Sequence, residues 1–210
     1  MTTGGHSHYF DPDPGTPHQP FLVEAEWEGL VFQFRTDSGV FSRHRLDPGT
    51  DLLVKTVLGE LRDRQASLLD LGTGVGVMAI AFAKLRPRLA VTGSEVNRRA
   101  LELAADNARR ASVSGRVRFV EWDGVPEGIF ALILTNPPIR AGKETVYRIF
   151  QEAAESLTPE GSLYLVIRVK QGAASAKREL ESHFDQVVTL ARSKGYHVLK
   201  ASKVRKRRRQ

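Results

Sequence analysis

The sequence predicts an α/β fold, a doubly wound sheet of seven strands with the last strand antiparallel, preceded by a small N-terminal β-hairpin module. Three observations carry this. From residue 67 onward, short apolar runs alternate with helical stretches, the pattern of parallel strands joined by crossover helices. The first of these strands runs into Gly72-x-Gly74-x-Gly76 and then a helix. The last two strands are separated only by Ser193-Lys194-Gly195, too few residues for a parallel crossover, so they must pair antiparallel.

Taken in order, residues 1–20 hold Gly, His, Pro and Asp with almost no apolar content and read as a flexible arm. His6 and His8 lie in that arm, and no metal site is assigned to them. Phe21–Trp27 and Leu30–Thr36 read as strands, turned by Glu28-Gly29. Asp47-Pro48-Gly49-Thr50 opens a helix in which Leu53, Val57 and Leu61 form a buried stripe. Ser67–Leu71 is the next strand and Val75–Leu85 a helix stopped by Arg86-Pro87. Leu89–Glu95 is a strand, and Asn97 caps a helix to Arg110. Val117–Glu121 and Ile129–Thr135 are strands, and Lys143–Leu157 is a helix ended by Thr158-Pro159-Glu160-Gly161. Leu163–Val169 is a strand, Ala173–His183 a helix, and Gln186–Arg192 and Tyr196–Lys200 are the closing strands. The organisation is an arm over 1–20, a hairpin module over 21–46, a main domain over 47–201 and a basic tail over 202–210.

Composition narrows the class. The chain has 210 residues, 41% of them apolar, enough for one packed domain. No apolar run approaches the roughly 20 residues of a membrane helix, and the N-terminus lacks a signal-peptide stretch. A soluble, cytoplasmic protein is expected. Without cysteine there are no disulfides, no thiolate metal sites and no Cys nucleophile. The net charge is +7, and Lys200, Lys203, Arg205, Lys206, Arg207, Arg208 and Arg209 account for all of it. Such a tail suits a polyanion through counterion release, or equally serves as a solvated, solubilising end.

The glycine loop marks a ligand site beyond the carboxyl ends of the strands, because glycines allow a tight turn and close backbone approach. Glu95, 19 residues past Gly76, ends the second strand of the sheet, where a carboxylate can accept from both hydroxyls of a ribose. Asp70 stands before the first glycine, where it would meet a cationic amino group and repel a pyrophosphate. S-adenosylmethionine therefore fits better than a dinucleotide. Asp123 would accept from the adenine amino group. Trp122 would flank the base or simply pack in the core.

The fourth strand of this sheet runs into Asn136-Pro137-Pro138-Ile139-Arg140-Ala141-Gly142-Lys143. Two prolines stop the strand and stiffen the loop. The Asn136 side-chain oxygen and the Pro137 carbonyl are two acceptors, able to hold both hydrogens of an amino group on a flat ring or amide. That hold draws the nitrogen lone pair out of conjugation and aims it for in-line methyl transfer, by positioning rather than a strong base. Ile139 would pack on the flat face of the target.

Asp70–Gly76, Glu95-Val96-Asn97-Arg98-Arg99-Ala100 and Asn136–Lys143 together resemble the class I S-adenosylmethionine-dependent methyltransferases. Within them the sequence resembles the RsmC-like branch, small-subunit ribosomal RNA guanine-N2 methyltransferases. The resemblance spans nearly the whole chain, including Thr36–Ser42, Asp47–Leu53, Ile167–Gly172 and Gly195–Leu199. It implies that Asp70, Gly72, Gly74 and Gly76 line the methionine end of the cofactor, that Glu95 holds the ribose and Asp123 the adenine, with Thr73, Val96 and Trp122 also in the cofactor site. Asn136, Pro137, Pro138 and Ile139 would hold the target, with Asn136 also beside the cofactor. Phe41 and Ser42 would close over the site, and Arg140, Lys143 and the tail would contact RNA phosphates. The sequence departs from many relatives in having Ile139 where an aromatic residue is usual, and it lacks a second, degenerate domain. The implied partner is ribosomal RNA or the small ribosomal subunit. The loop by itself also admits a protein glutamine amide or adenine N6 as acceptor, and a non-catalytic RNA-binding relic is the reading from another class.

Overall fold

The structure is a computed structural model and describes residues 19–40 and 45–205. Strands β1 (Phe21–Trp27) and β2 (Leu30–Thr36) form an antiparallel hairpin in which Glu28 and Gly29 both take positive φ. The twist of such a turn matches that of the flanking strands. Helix α1 (Pro48–Glu60) follows, with Pro48 at its first turn and Asp47 as cap, the carboxylate accepting from the Thr50 amide at 2.8 Å.

The remaining chain alternates as expected: β3 (Ala66–Leu71), α2 (Val77–Leu85), β4 (Leu89–Glu95), α3 (Arg98–Arg110), β5 (Val117–Glu121), β6 (Phe130–Thr135), α4 (Lys143–Glu155), β7 (Leu157–Arg168), α5 (Ala173–His183), β8 (Phe184–Ser193) and β9 (Tyr196–Val204). Seven strands form one sheet in the order β5-β4-β3-β6-β7-β9-β8. All run parallel except β9, which inserts antiparallel between β7 and β8. This is the predicted Rossmann-like arrangement with its last strand reversed.

Alternation along the central strands feeds two cores. Leu68, Leu132 and Leu134 point to the face covered by α1, α2 and α3, which the hairpin shares through Trp27, Phe32 and Phe34. Leu69, Leu71 and Ile133 point to the other face, packed by Phe150 of α4 and Leu180 of α5. Burial on both faces explains why these strands read as continuous apolar runs.

Several boundaries differ from the sequence reading. Helix α2 starts at Val77 rather than Val75, because Gly74 and Gly76 both hold positive φ and keep the loop open. The Thr158–Gly161 segment, expected only to end a helix, lies within a longer β7. Phe130 pairs with Leu157 and Leu132 with Ser162, so those four residues form a bulge. Strand β9 continues past Lys200 to Val204, into the segment taken for the tail, because Ala201, Ser202 and Val204 pair with β8.

Candidate active site

A cavity of about 1030 Å³ opens at the carboxyl ends of β3, β4, β6 and β7, where the sheet order reverses between β3 and β6. This is the place where doubly wound sheets bind ligands. Its floor is the glycine loop. The Gly72 and Thr73 amides both donate to the Ser94 carbonyl, at 3.0 and 2.9 Å, tying the loop to β4. A Cβ on Gly72 would meet nothing within 4 Å, so its backbone faces open space that a ligand can enter. Gly76 serves differently. A Cβ there would sit 2.9 Å from Ile80 and 3.1 Å from Ala104, so this glycine allows close packing of the loop on α2 and α3 and does not line the cavity.

Glu95 is buried at the end of β4, and three backbone amides aim its carboxylate. Gly74 donates to Oε2 at 3.0 Å, and Val96 and Asn97 donate to Oε1 at 2.9 and 3.0 Å. Burial pushes its pKa up, and these amides oppose that. The remaining lone pairs are the expected acceptors for ribose hydroxyls. Val96 lines the same wall.

Asp70 is not placed where the sequence suggested. It is fully buried and absent from the cavity wall. Its Oδ2 accepts from the Thr73 hydroxyl at 2.6 Å and the Ala79 amide at 2.8 Å, so it braces the loop and the first turns of α2 from behind. Its other oxygen has no hydrogen-bond partner among the described residues. Burial raises its pKa to about 7, with the Thr73 and Ala79 bonds opposing and the nearby Glu95 charge adding to the rise.

At the rim Trp122 is 48% exposed and lines the cavity, which excludes the core-packing alternative. Asp123 also lines it, with one carboxylate oxygen taking a 2.8 Å bond from Arg148 on α4.

The Asn136 loop forms the opposite wall. Asn136 Nδ2 donates to Asp47 Oδ2 and to Thr50 Oγ1, each at 3.1 Å. An ionised carboxylate only accepts, so the NH₂ end must face Asp47 and the carbonyl oxygen is turned the other way. That oxygen has no hydrogen-bond partner among the described residues. The Pro137 carbonyl takes one bond, 2.8 Å from the Ile139 amide, and keeps a second lone pair. Pro138 and Ile139 line the cavity at the start of a 3₁₀ turn over Ile139–Ala141. Arg140 lines it as well, whereas Lys143 lies on a small side pocket with Tyr147 and Gln171. Phe41 and Ser42 lie outside the described residues, as does the tail from Lys206.

Four contributions escaped the sequence reading. Asp47 was legible only as a helix cap. Tyr196 begins β9, with its hydroxyl 3.4 Å from Asp47 Oδ1 and its ring under the Arg168 guanidinium at 4.7 Å. Arg168 itself lines the cavity. Thr36, at the end of the hairpin, lines it with a buried hydroxyl that has no partner among the described residues. An orphaned donor, an open glycine backbone and an amide-braced carboxylate fit a cofactor carrying a ribose and a polar amino-acid end. Among the described residues no cluster of His, Asp or Glu can hold a metal ion.

Comparison with known proteins identifies the family. The family model of the methyltransferase small domain matches residues 31–200. The chain is 37% identical over 201 residues to the uncharacterized protein YbxB of Bacillus subtilis, covering 94% of this chain and 98% of YbxB. It is 31% identical over 161 residues to ribosomal RNA small subunit methyltransferase C of Haemophilus influenzae, covering 76% of this chain and 48% of that protein. Among solved structures it resembles the T. thermophilus 16S rRNA N2 G1207 methyltransferase RsmC, in complex with AdoMet and guanosine. The TM-score is 0.77 at 25% identity, over 90% of this chain and 51% of that one. The chain thus spans about half the length of these two rRNA methyltransferases.

Proposed function

Because the chain belongs to the methyltransferase small domain family and is a class I S-adenosylmethionine-dependent methyltransferase, we propose that its acceptor is the exocyclic N2 amine of a guanine in small-subunit ribosomal RNA, methylated in the cytoplasm. When bound, S-adenosylmethionine supplies an electrophilic methyl group on a sulfonium.

The observation that carries the reading is the enforced orientation of Asn136, whose free Oδ1 stands in the same loop as the available Pro137 carbonyl lone pair. Together they accept both hydrogens of an NH₂ and fix its lone pair toward the methyl group. Glu95 holds the cofactor's ribose and the glycine loop its methionine end. No general base is needed before transfer, since the nitrogen becomes acidic only afterward. Ile139 covers the flat face of the base. The base must be unpaired or turned out of its helix to reach this wall. The nucleotide assignment draws on what the Haemophilus and Thermus relatives are named for, and on the basic surface of this chain.

Incubating the protein with undermethylated small subunits and tritiated S-adenosylmethionine, then digesting the RNA to nucleosides, should place label in N2-methylguanosine. Label in N6-methyladenosine or in a protein glutamine would overturn the acceptor assignment. Absence of heat on titrating S-adenosylmethionine into the protein would favour the relic.

A further inference from the structure

The fold separates the two groups of cations that a polyanion would meet. Strands β6, β7 and β8 all end at the cavity side of the sheet, as the pairing of Arg168 and Ser193 with Tyr196 shows. The segments leaving them carry Arg140, Lys143, Arg168, Lys170, Arg192 and Lys194. All six are exposed, and none makes an ion pair among the described residues. Residues 136–143, 168–178 and 192–198 contain no Asp or Glu. The Val169 amide bonds to the Gly195 carbonyl at 2.9 Å, joining the loops after β7 and β8, and Lys143 of the loop after β6 lines a small pocket with Gln171 of the loop after β7.

The C-terminal tail leaves from the opposite end. Val204 pairs with Phe184, the first residue of β8, and the Arg205 amide bonds to the His183 carbonyl at 2.8 Å. Strand β9 has nine residues, so its far end lies about 27 Å from Tyr196. Lys206–Arg209 extend at most about 14 Å beyond Arg205. Two of the C-terminal cations are already paired, Lys200 of β9 with Glu60 at 2.8 Å and Arg205 with Asp185 at 3.2 Å.

We propose that the rim formed by the loops after β6, β7 and β8, and not the C-terminal tail, is the surface that grips the RNA phosphates flanking the target base. This rests on the RNA reading above. The cofactor side of the cavity carries two carboxylates, Glu95 and Asp123, while Arg140 and Arg168 line the acceptor side, so the polyanion is directed to the acceptor wall. Arg140 and Arg168 reach the cavity itself, while Lys170, Arg192 and Lys194 extend the cationic surface outward along β7 and β8.

The test uses the full chain and an unmodified small-subunit rRNA transcript. A rim variant carries Lys170→Gln, Arg192→Gln and Lys194→Asn, the last because Lys194 holds a positive φ that Asn tolerates. A tail variant carries Ser at Lys206, Arg207, Arg208 and Arg209. The rim variant should lose about 2–3 units from the slope of log affinity against log salt and raise the KM for RNA, with S-adenosylmethionine affinity unchanged. On a short transcript spanning only the target base and its neighbours, the tail variant should keep the wild-type KM. A rim variant with the wild-type slope overturns the proposal, as does a tail variant whose KM on the short transcript rises as much. Wild-type protein with no salt-dependent RNA binding overturns the RNA reading along with it.

Discussion

Asn136 is useful to a methyl acceptor only with its carbonyl end free, and Asp47 enforces that end by occupying the NH₂. Asn136→Ala should therefore lower kcat by at least about 100-fold while leaving S-adenosylmethionine affinity within about twofold, measured by single-turnover kinetics and calorimetry. Asp47→Ala should lower kcat about 10- to 100-fold and also remove a helix cap worth about 1 kcal/mol. Asp47→Asn retains an oxygen for Thr50 and Asn136, and should restore most of the rate. Equal kcat in the Ala and Asn variants would show that orientation of Asn136 is not what Asp47 provides. Asp70 makes a pH prediction. Its pKa rises from 3.8 to about 7 on folding, so the folded state binds this proton more tightly than the unfolded chain. Its contribution to stability is present below pH 3.8 and is lost as pH rises through about 7. Asp70→Asn should flatten that decline, read from urea midpoints across the window.

At the scale of elements, the first turn of α1 explains why it carries Asp, Pro, Gly and Thr in that order. Pro48 sets the entry dihedral and Thr50 receives Asn136. A Cβ on Gly49 would lie 2.7 Å from the Tyr196 ring, so glycine lets β9 approach the helix. Gly49→Ala should destabilise the fold by about 1–3 kcal/mol, measured by denaturant unfolding, through displacement of that ring. On α3, Asn107 docks the hairpin edge as a strand would. It accepts from the Arg35 amide at 2.8 Å and donates to the Arg35 and Val75 carbonyls at 2.9 and 3.0 Å. One buried side chain thus connects β2 to the glycine loop. Asn107→Ala should cost about 2–3 kcal/mol by leaving buried backbone groups unpaired. It should also weaken cofactor binding, a pairing of effects that calorimetry can check.

For the whole molecule, the hairpin and the main domain share one core. Trp27 and Phe32 have ring centroids 5.2 Å apart, and with Phe34 they pack among the buried residues of α1 and α2. Arg86 closes the join with bonds of 2.8 and 2.6 Å to the Glu28 carboxylate, and it also reaches the Leu58 and Leu61 carbonyls. A chain beginning at Arg45 should therefore lose cooperative thermal unfolding, because the faces of α1 and α2 would open to water. Sharp unfolding of that truncation would show the hairpin to be an independent module.

Much of this was legible in the sequence, because local patterns have local causes. Alternating apolar runs mark strands buried on both faces, Asp47 and Asn97 mark helix starts, and Gly72, Gly74 and Glu95 lie close enough in sequence for one loop and one strand end to unite them. The bulge at Thr158–Gly161 was not legible, since Pro and Gly signal an interruption without saying whether the strand resumes pairing. The role of Asp70 was not legible either, because its direction depends on where α2 starts. Nor does anything near Asp47 announce that it meets Asn136, 89 residues away. The sequence by itself determined the αβ order, the glycine loop and the Asn136 loop that we propose holds the acceptor amine. Only the tertiary structure decided which end of Asn136 is free and which cations stand at the cavity rim. Reversal of a single strand places Val204 and Arg205 at the end of the sheet away from the cavity and brings Tyr196 to it, and that consequence arises from strand pairing rather than from any neighbouring residue.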